Sequence, residues 1–178
     1  MARFETLRVK NFLSELGSKK GAPGGGAAAA LTGATGCALV EMVARLNDAR
    51  LGRSSGNVRR ARLLRQKFQR LMDEDAKAFG AIQKIYRKRR TERTAWKRVL
   101  KNGAAVPLRV AELCAAAAKF VSKERPRTSP WLISDLKESA ILLDAASRSA
   151  RLNVEINLKE IEDPRFVSRM RKQLNSFQ

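Results

Sequence analysis

The sequence contains no histidine among its 178 residues. This absence excludes Ser-His-Asp and Cys-His catalysis, together with any metal site that depends on imidazole. Acid–base chemistry would therefore have to come from Asp, Glu, Tyr, Lys or Cys, and we expect no metal site. Only Cys37 and Cys114 carry thiols, each within an alanine-rich stretch. We interpret them as buried free thiols of a protein in a reducing compartment.

Aromatic residues are scarce, at 6% of the chain, and much of the 44% hydrophobic fraction is alanine. Runs of alternating β-branched residues, which would indicate strands, are almost absent. Small apolar side chains favour closely packed helices over a β-sandwich. The sequence therefore predicts one all-α domain over residues 1–178, a bundle of about six helices with a Gly/Ala-rich central helix.

Helical periodicity gives approximate bounds for these helices. The expected spans are Phe4 to Leu16, Gly24 to Asn47, Val58 to Arg89, Thr94 to Val121, Ser134 to Leu152, and a short helix from Pro164. Pro107 lacks an amide N–H, so it should kink the fourth helix or lie in its first turn. Ser134 is expected to cap the fifth helix, and Asn153 and Asn157 are interpreted as turn or cap residues near its end.

Acidic residues are few, with 17 against 37 Lys and Arg, which gives a net charge of +20. The positive electrostatic field of such a chain attracts nucleic acid, anionic membranes or small polyanions. Basic residues concentrate in Arg59 to Arg70 and Arg87 to Arg98. These runs are either solvated helix faces or phosphate-binding surfaces, and only Tyr86 and Trp96 offer stacking surfaces there.

Charge is missing altogether from Gly21 to Val40. Stretches of Gly and Ala are barely hydrophobic enough to enter a bilayer, so we expect no membrane span. The segment from Met1 to Lys10 mixes charges and lacks the apolar core of a secretory signal. A cytoplasmic location is therefore expected.

The glycines at positions 24 to 26 open the second helix, and Gly33 and Gly36 follow within it. The first N–H groups of a helix lack intrahelical acceptors and therefore suit an anion or a carbonyl oxygen. The alternative is that these small residues serve only close packing or a dimer seam, and physical reasoning alone favours that alternative. Neither a phosphate-binding loop nor a dinucleotide fingerprint fits the flanking sequence.

Asp75 interrupts the apolar stripe of the third helix. The stripe consists of Leu64, Phe68, Leu71, Met72, Phe79, Ile82 and Tyr86. Because Asp75 lies four residues after Leu71 and four before Phe79, it faces the core. Burial would raise the pKa of its carboxyl and suit it to proton transfer. A structural aspartate that pairs with an arginine or caps a neighbouring helix is an equally open interpretation.

Four segments, taken in order, resemble the formimidoyltetrahydrofolate cyclodeaminase and methenyltetrahydrofolate cyclohydrolase family. They are Ala22 to Gly26 with the helix through Leu46, Asp73 to Phe79 (DEDAKAF), Val106-Pro107-Leu108 with Ala111, and Ser134-Asp135 through Asn153 to Ile161. Position 27 is alanine where the family usually has serine.

The resemblance implies an all-α bundle that forms homodimers and acts on a one-carbon tetrahydrofolate without a metal or redox cofactor. It implies that Asp75 donates a proton to leaving ammonia or shuttles a proton for attacking water. Substrate-binding residues are expected at Pro23, Gly24, Gly25, Gly26, Ser134 and Asp135. The alternative function is a relative with weak or lost activity, whose basic helices bind nucleic acid or another polyanion.

Overall fold

The computed structural model describes residues 4–177. Six α-helices account for most of this range, and no strand occurs in it, so the all-α prediction is confirmed. The helices are α1 (Val9–Leu16), α2 (Gly25–Arg50), α3 (Asn57–Tyr86), α4 (Arg93–Glu124), α5 (Ile133–Leu158) and α6 (Pro164–Asn175). Short 3-10 helices cover Phe4–Thr6, Arg125–Arg127 and Pro130–Leu132.

Helices α2, α3, α4 and α5 form a four-helix bundle. Helix α2 packs along α3 on one side and α5 on the other, and α4 closes the bundle between those two helices. Glycines in α2 make this close approach feasible: a Cβ atom on Gly33 would lie 2.5 Å from Cε1 of Phe68. Small residues in α2 therefore admit a large aromatic side chain from α3 into the core.

Helix α2 is also the one helix within residues 4–177 that is long and apolar enough to cross a membrane. However, 61% of its apolar window is buried inside the bundle. The core helix of a helical bundle has the same length and composition. Cys37 of α2 and Cys114 of α4 are buried free thiols, and burial raises the pKa of each to about 12.

The fifth helix differs from its prediction at both ends. It begins at Ile133 after Leu132, and no side chain caps it, so the prediction of Ser134 as the cap is wrong. It also continues to Leu158, so Asn153 and Asn157 lie within the helix and do not form a turn. Nothing in residues 153–158 breaks a helix, and Val154 and Leu158 are buried along its inner face.

Pro107 lies in the interior of α4, which excludes a place in the first turn. Proline cannot donate to the carbonyl four residues earlier, which here belongs to Gly103. The side chain of Asn157 donates to that carbonyl instead, at 3.0 Å from Nδ2. A hydrogen bond from α5 thus satisfies the acceptor that the proline leaves unpaired.

Candidate active site

Asp75 of α3 lies against the first turn of α2. Its Oδ2 atom accepts a hydrogen bond from the N–H of Ala27 at 3.0 Å. A Cβ atom on Gly26 would overlap the same carboxylate, at 2.5 Å from its carbon. Glycine at position 26 is therefore what allows α3 to bring an acid to this helix end. The neighbouring acid, Glu74, pairs with Arg109 and takes no part in the contact.

The environment of Asp75 favours its protonated form. Burial raises the pKa of the carboxyl above its ordinary value of 3.8, and the hydrogen bond from Ala27 offsets part of this increase. No arginine or lysine pairs with Asp75 among the interactions of residues 4–177. The sequence left two structural roles open for Asp75. Pairing with an arginine is excluded within residues 4–177, whereas Asp75 does cap a neighbouring helix, α2. Capping and proton transfer are compatible, because Oδ1 remains available.

Asp75 forms part of the wall of a cavity of about 260 Å³. The lining residues come from the turn before α2 and from α3, α4 and α5: Gly21, Ala22, Gly24, Gly25, Gly26, Asp75, Ala78, Phe79, Ile82, Gly103, Asn153, Ile156 and Asn157. The N–H groups of Gly25 and Gly26 have no acceptor in the described part of the chain. The cavity thus combines an acid, free backbone donors and amide side chains with an apolar wall.

The predicted site residues divide into two groups. Gly24, Gly25 and Gly26 line the cavity with Asp75, whereas Pro23 is buried beside them without lining it. Ser134 and Asp135 lie at the opposite end of α5 from Asn153. At a rise of ~1.5 Å per residue, Asp135 is roughly 27 Å from Asn153 along the helix axis. The structure therefore does not bring these two residues to the cavity of their own chain.

Asn153 and Asn157 belong to the cavity although the sequence prediction assigned them to turns or caps. They are one helical turn apart and so share a face of α5. That spacing would have indicated a polar site if the helix had been extended through residue 158. The prediction for the two asparagines failed because it ended the fifth helix at Leu152, whereas α5 continues to Leu158.

A second cavity of about 410 Å³ follows the first along the groove between α3, α4 and the end of α5. Its wall is basic and aromatic on one side, with Tyr86, Arg89, Arg90, Arg93, Trp96, Lys97 and Lys101. The acids Glu160, Glu162 and Asp163 also line it, and Asp163 pairs with Lys101 at 2.6 Å. Tyr86 lies one turn beyond Ile82 on α3, and Ile161 follows the end of α5 four residues after Asn157, so the two cavities are neighbours. Residues 4–177 contain no cluster of three His, Cys, Asp or Glu side chains arranged to hold a metal.

These features define an all-helical protein with an acid in a glycine-walled cavity. The chain belongs to the formiminotransferase-cyclodeaminase family, whose model matches residues 8–176. The resemblance noted in the sequence is thereby confirmed, and the family is one of folate one-carbon proteins. The comparisons give no support to the nucleic-acid alternative.

Both branches of the family are represented among similar proteins. The chain is 30% identical to formimidoyltransferase-cyclodeaminase of Sus scrofa, over 94% of this chain and 34% of that protein. It is 29% identical to methenyltetrahydrofolate cyclohydrolase of Methylorubrum extorquens, over 98% of this chain and 89% of that one. The chain thus spans about a third of the mammalian relative and most of the bacterial one.

The fold also matches a solved structure. The crystal structure of formiminotetrahydrofolate cyclodeaminase from Thermotoga maritima superimposes with a TM-score of 0.90 at 31% sequence identity. The match covers 97% of this chain and 89% of that one.

Proposed function

We propose that the chain is a one-carbon tetrahydrofolate enzyme that uses Asp75 as its acid and base. Its reaction is either cyclodeamination of formimidoyltetrahydrofolate or hydrolysis of methenyltetrahydrofolate, without a metal or redox cofactor. The observation that carries the proposal is the position of Asp75, a half-buried carboxyl with a raised pKa beside two free helix amides. A carboxyl that holds its proton more tightly than usual is suited to act as a general acid.

In cyclodeamination, the second folate nitrogen attacks the formimidoyl carbon and closes the five-membered ring. The hydrogen on the attacking nitrogen is transferred to the formimidoyl nitrogen, which becomes an amino group. Asp75 then protonates that amino group, which leaves as ammonia as the cationic methenyl bridge forms. In hydrolysis, the Asp75 carboxylate takes a proton from the water that attacks the methenyl carbon. It returns that proton to the ring nitrogen as the bond from this nitrogen to the carbon breaks, and the hydroxyl proton of the intermediate passes to solvent as the formyl C=O forms.

The second cavity supports a role for the basic surface in this proposal. A folate carries carboxylates at its glutamate end, and Arg90, Arg93 and Lys97 supply positive charge next to the proposed ring site. The five Lys and Arg side chains of this wall outnumber its three acids, and a cleft with an excess of positive charge raises the local concentration of an anionic substrate. We therefore propose that the glutamate end of the substrate lies in this second cavity.

We also propose a homodimer. In a chain of net charge +20, the outward face of α2 from Thr35 to Leu46 carries one charged residue, Arg45, beside the uncharged residues Thr35, Ala38, Met42 and Leu46. Met42 and Leu46 are 37% and 46% exposed. Substrate contacts from Ser134 and Asp135 would have to come from a second copy, because these residues lie far from the cavity of their own chain. Light scattering at micromolar concentration tests the dimer.

The enzymatic proposal is tested by offering both folates to the purified chain. Ammonia release and the ultraviolet absorbance of the methenyl bridge distinguish the two reactions. We expect Asp75→Asn to lower turnover about 100-fold or more, since general acid–base catalysis contributes about 10²–10⁴-fold. Asp144→Asn is the matched control, because Asp144 is an exposed acid on the outer face of α5. Turnover by Asp75→Asn equal to that of this control would refute the role of Asp75.

A further inference from the structure

Asn153 and Asn157 present their side-chain carbonyl oxygens in a fixed orientation. The NH₂ group of Asn153 donates to the Ser149 carbonyl at 3.0 Å. The NH₂ group of Asn157 donates to the carbonyls of Asn153 and Gly103, at 2.9 and 3.0 Å. Because the donors are held by the backbone, each amide turns its Oδ1 atom away from these carbonyls. No donor within residues 4–177 binds either Oδ1 atom.

The anchor of Asn157 depends on a feature of the neighbouring helix. The carbonyl of Gly103 receives no N–H from Pro107. In an uninterrupted helix that carbonyl would be occupied by the residue four positions later. Asn157 thus supplies the donor that the proline lacks.

Two glycines of the cavity wall lie close to these oxygens. The Oδ1 atom of Asn153 lies 3.4 Å from the position that a Cβ atom on Gly25 would take. The Oδ1 atom of Asn157 lies 3.9 Å from the corresponding position at Gly103. All four residues line the same cavity as Asp75.

We infer that Asn153 and Asn157 determine the specificity of the site by accepting hydrogen bonds from N–H groups on the heterocyclic ring of the substrate. This inference rests on the proposed function. The cavity has two acceptors on α5 and the unpaired N–H donors of Gly25 and Gly26 on α2. A pyrimidinone ring with an amino group, as in a reduced pterin, has the matching pattern of N–H donors along one edge and a carbonyl acceptor beside them.

The pattern also predicts which ring is rejected. In a 2,4-diaminopteridine, an amino group replaces the ring carbonyl and the adjacent ring nitrogen loses its hydrogen. That ring therefore presents a lone pair where the pterin presents an N–H donor. Sites built to bind a polar group discriminate strongly against an analogue that leaves their buried groups unpaired.

The experiment is a calorimetric titration of tetrahydrofolate into the wild-type chain and its variants. We expect Asn153→Ala to weaken binding about tenfold, because one hydrogen bond is lost. Asn102→Ala is the matched control, because Asn102 is an exposed neighbour of Gly103 that does not line the cavity. A diamino analogue should bind the wild type more weakly than tetrahydrofolate and lose less affinity in Asn153→Ala.

The outcomes separate the inference from the proposed function. If the wild type does not bind tetrahydrofolate, the proposed function is refuted and this inference with it. If the wild type binds but Asn153→Ala binds equally well, the inference alone is refuted. Thermal unfolding verifies that each variant is folded. If Asn153→Ala does not fold, Asn153→Ser replaces it with the same expected loss, because its hydroxyl bonds back to the helix.

Discussion

Gly26 and Asp75 are in direct contact across the interface of α2 and α3. A Cβ atom on Gly26 would lie 2.9 Å from Oδ2 of Asp75, the same oxygen that accepts the N–H of Ala27. The glycine turn and the acid helix, which are far apart in sequence, therefore form one unit. The Asp75 carboxylate caps the N-terminus of α2, and the absence of a side chain at Gly26 leaves room for it.

The first prediction is that Gly26→Ala damages both stability and activity. The added methyl group must displace the Asp75 carboxylate, and overpacking of this kind costs about 2 kcal/mol. We expect urea unfolding to show that loss and turnover of the proposed reaction to fall with it. Gly17→Ala is the control, because its Cβ atom would meet its nearest neighbour at 3.5 Å, an ordinary contact. Equal stabilities of the two variants would contradict the packing argument.

The fold was largely predictable because the helices are long and periodic. The stripe of α3 correctly indicated that Asp75 faces inward, and Phe68, Leu71 and Met72 are buried as expected. Phe79 and Tyr86 of the same stripe are 37% and 53% exposed. They form the walls of the two cavities, and periodicity alone cannot distinguish a helix face that lines a cavity from one that packs in the core.

The site was only partly predictable. Periodicity identifies the face of a helix, whereas the partner of each helix end depends on tertiary packing. Ser134 and Asp135 were therefore grouped with the glycine turn, although they begin the helix whose other end carries Asn153. The hydrogen bond between Asn157 and Gly103 depends on Pro107 in α4, and no local pattern in the sequence connects the three residues.

The second prediction concerns the pH dependence of stability. Burial raises the pKa of folded Asp75 above its ordinary value of 3.8, so the folded chain holds this proton more tightly than the unfolded chain. The resulting stabilisation is complete below that ordinary value and is lost as the pH rises through the raised pKa. The variant Asp75→Asn carries an amide at this position, which does not titrate.

We therefore expect the free energy of unfolding of the wild type, relative to Asp75→Asn, to decrease as the pH is raised from about 3 to 7. Urea titrations at several pH values measure this difference. Asp144→Asn, which removes an exposed acid of the same type, reports the effect of the charge change by itself. A difference that stays constant with pH, or increases, would contradict a raised pKa at Asp75.

The third prediction concerns Glu124, which is fully buried where α2 ends and α3 begins. Its carboxylate accepts from Asn47 at 3.1 Å and from Asn57 at 2.7 Å, and pairs with Arg127. Glu124→Ala leaves the Asn57 amide without its acceptor and removes one of two acceptors from Asn47 and Arg127, so we expect a loss of about 3 kcal/mol in urea unfolding. Glu112→Ala, at an exposed position of the same helix, should change little. Equal losses in the two variants would show that the buried network does not stabilise the bundle.

The last prediction concerns the basic second cavity. Arg93→Ser combined with Lys97→Ser removes two charges from its wall, whereas Arg53→Ser with Arg59→Ser removes two exposed charges elsewhere. If the cavity holds the glutamate end of a folate, the first double variant should raise KM several-fold at low salt and leave kcat unchanged. Added salt should reduce this difference, because ions screen exposed charges beyond about 10 Å at 0.1 M. Only the first pair lies beside the proposed ring site. An equal rise of KM in both double variants would therefore assign the effect to the overall charge of the chain.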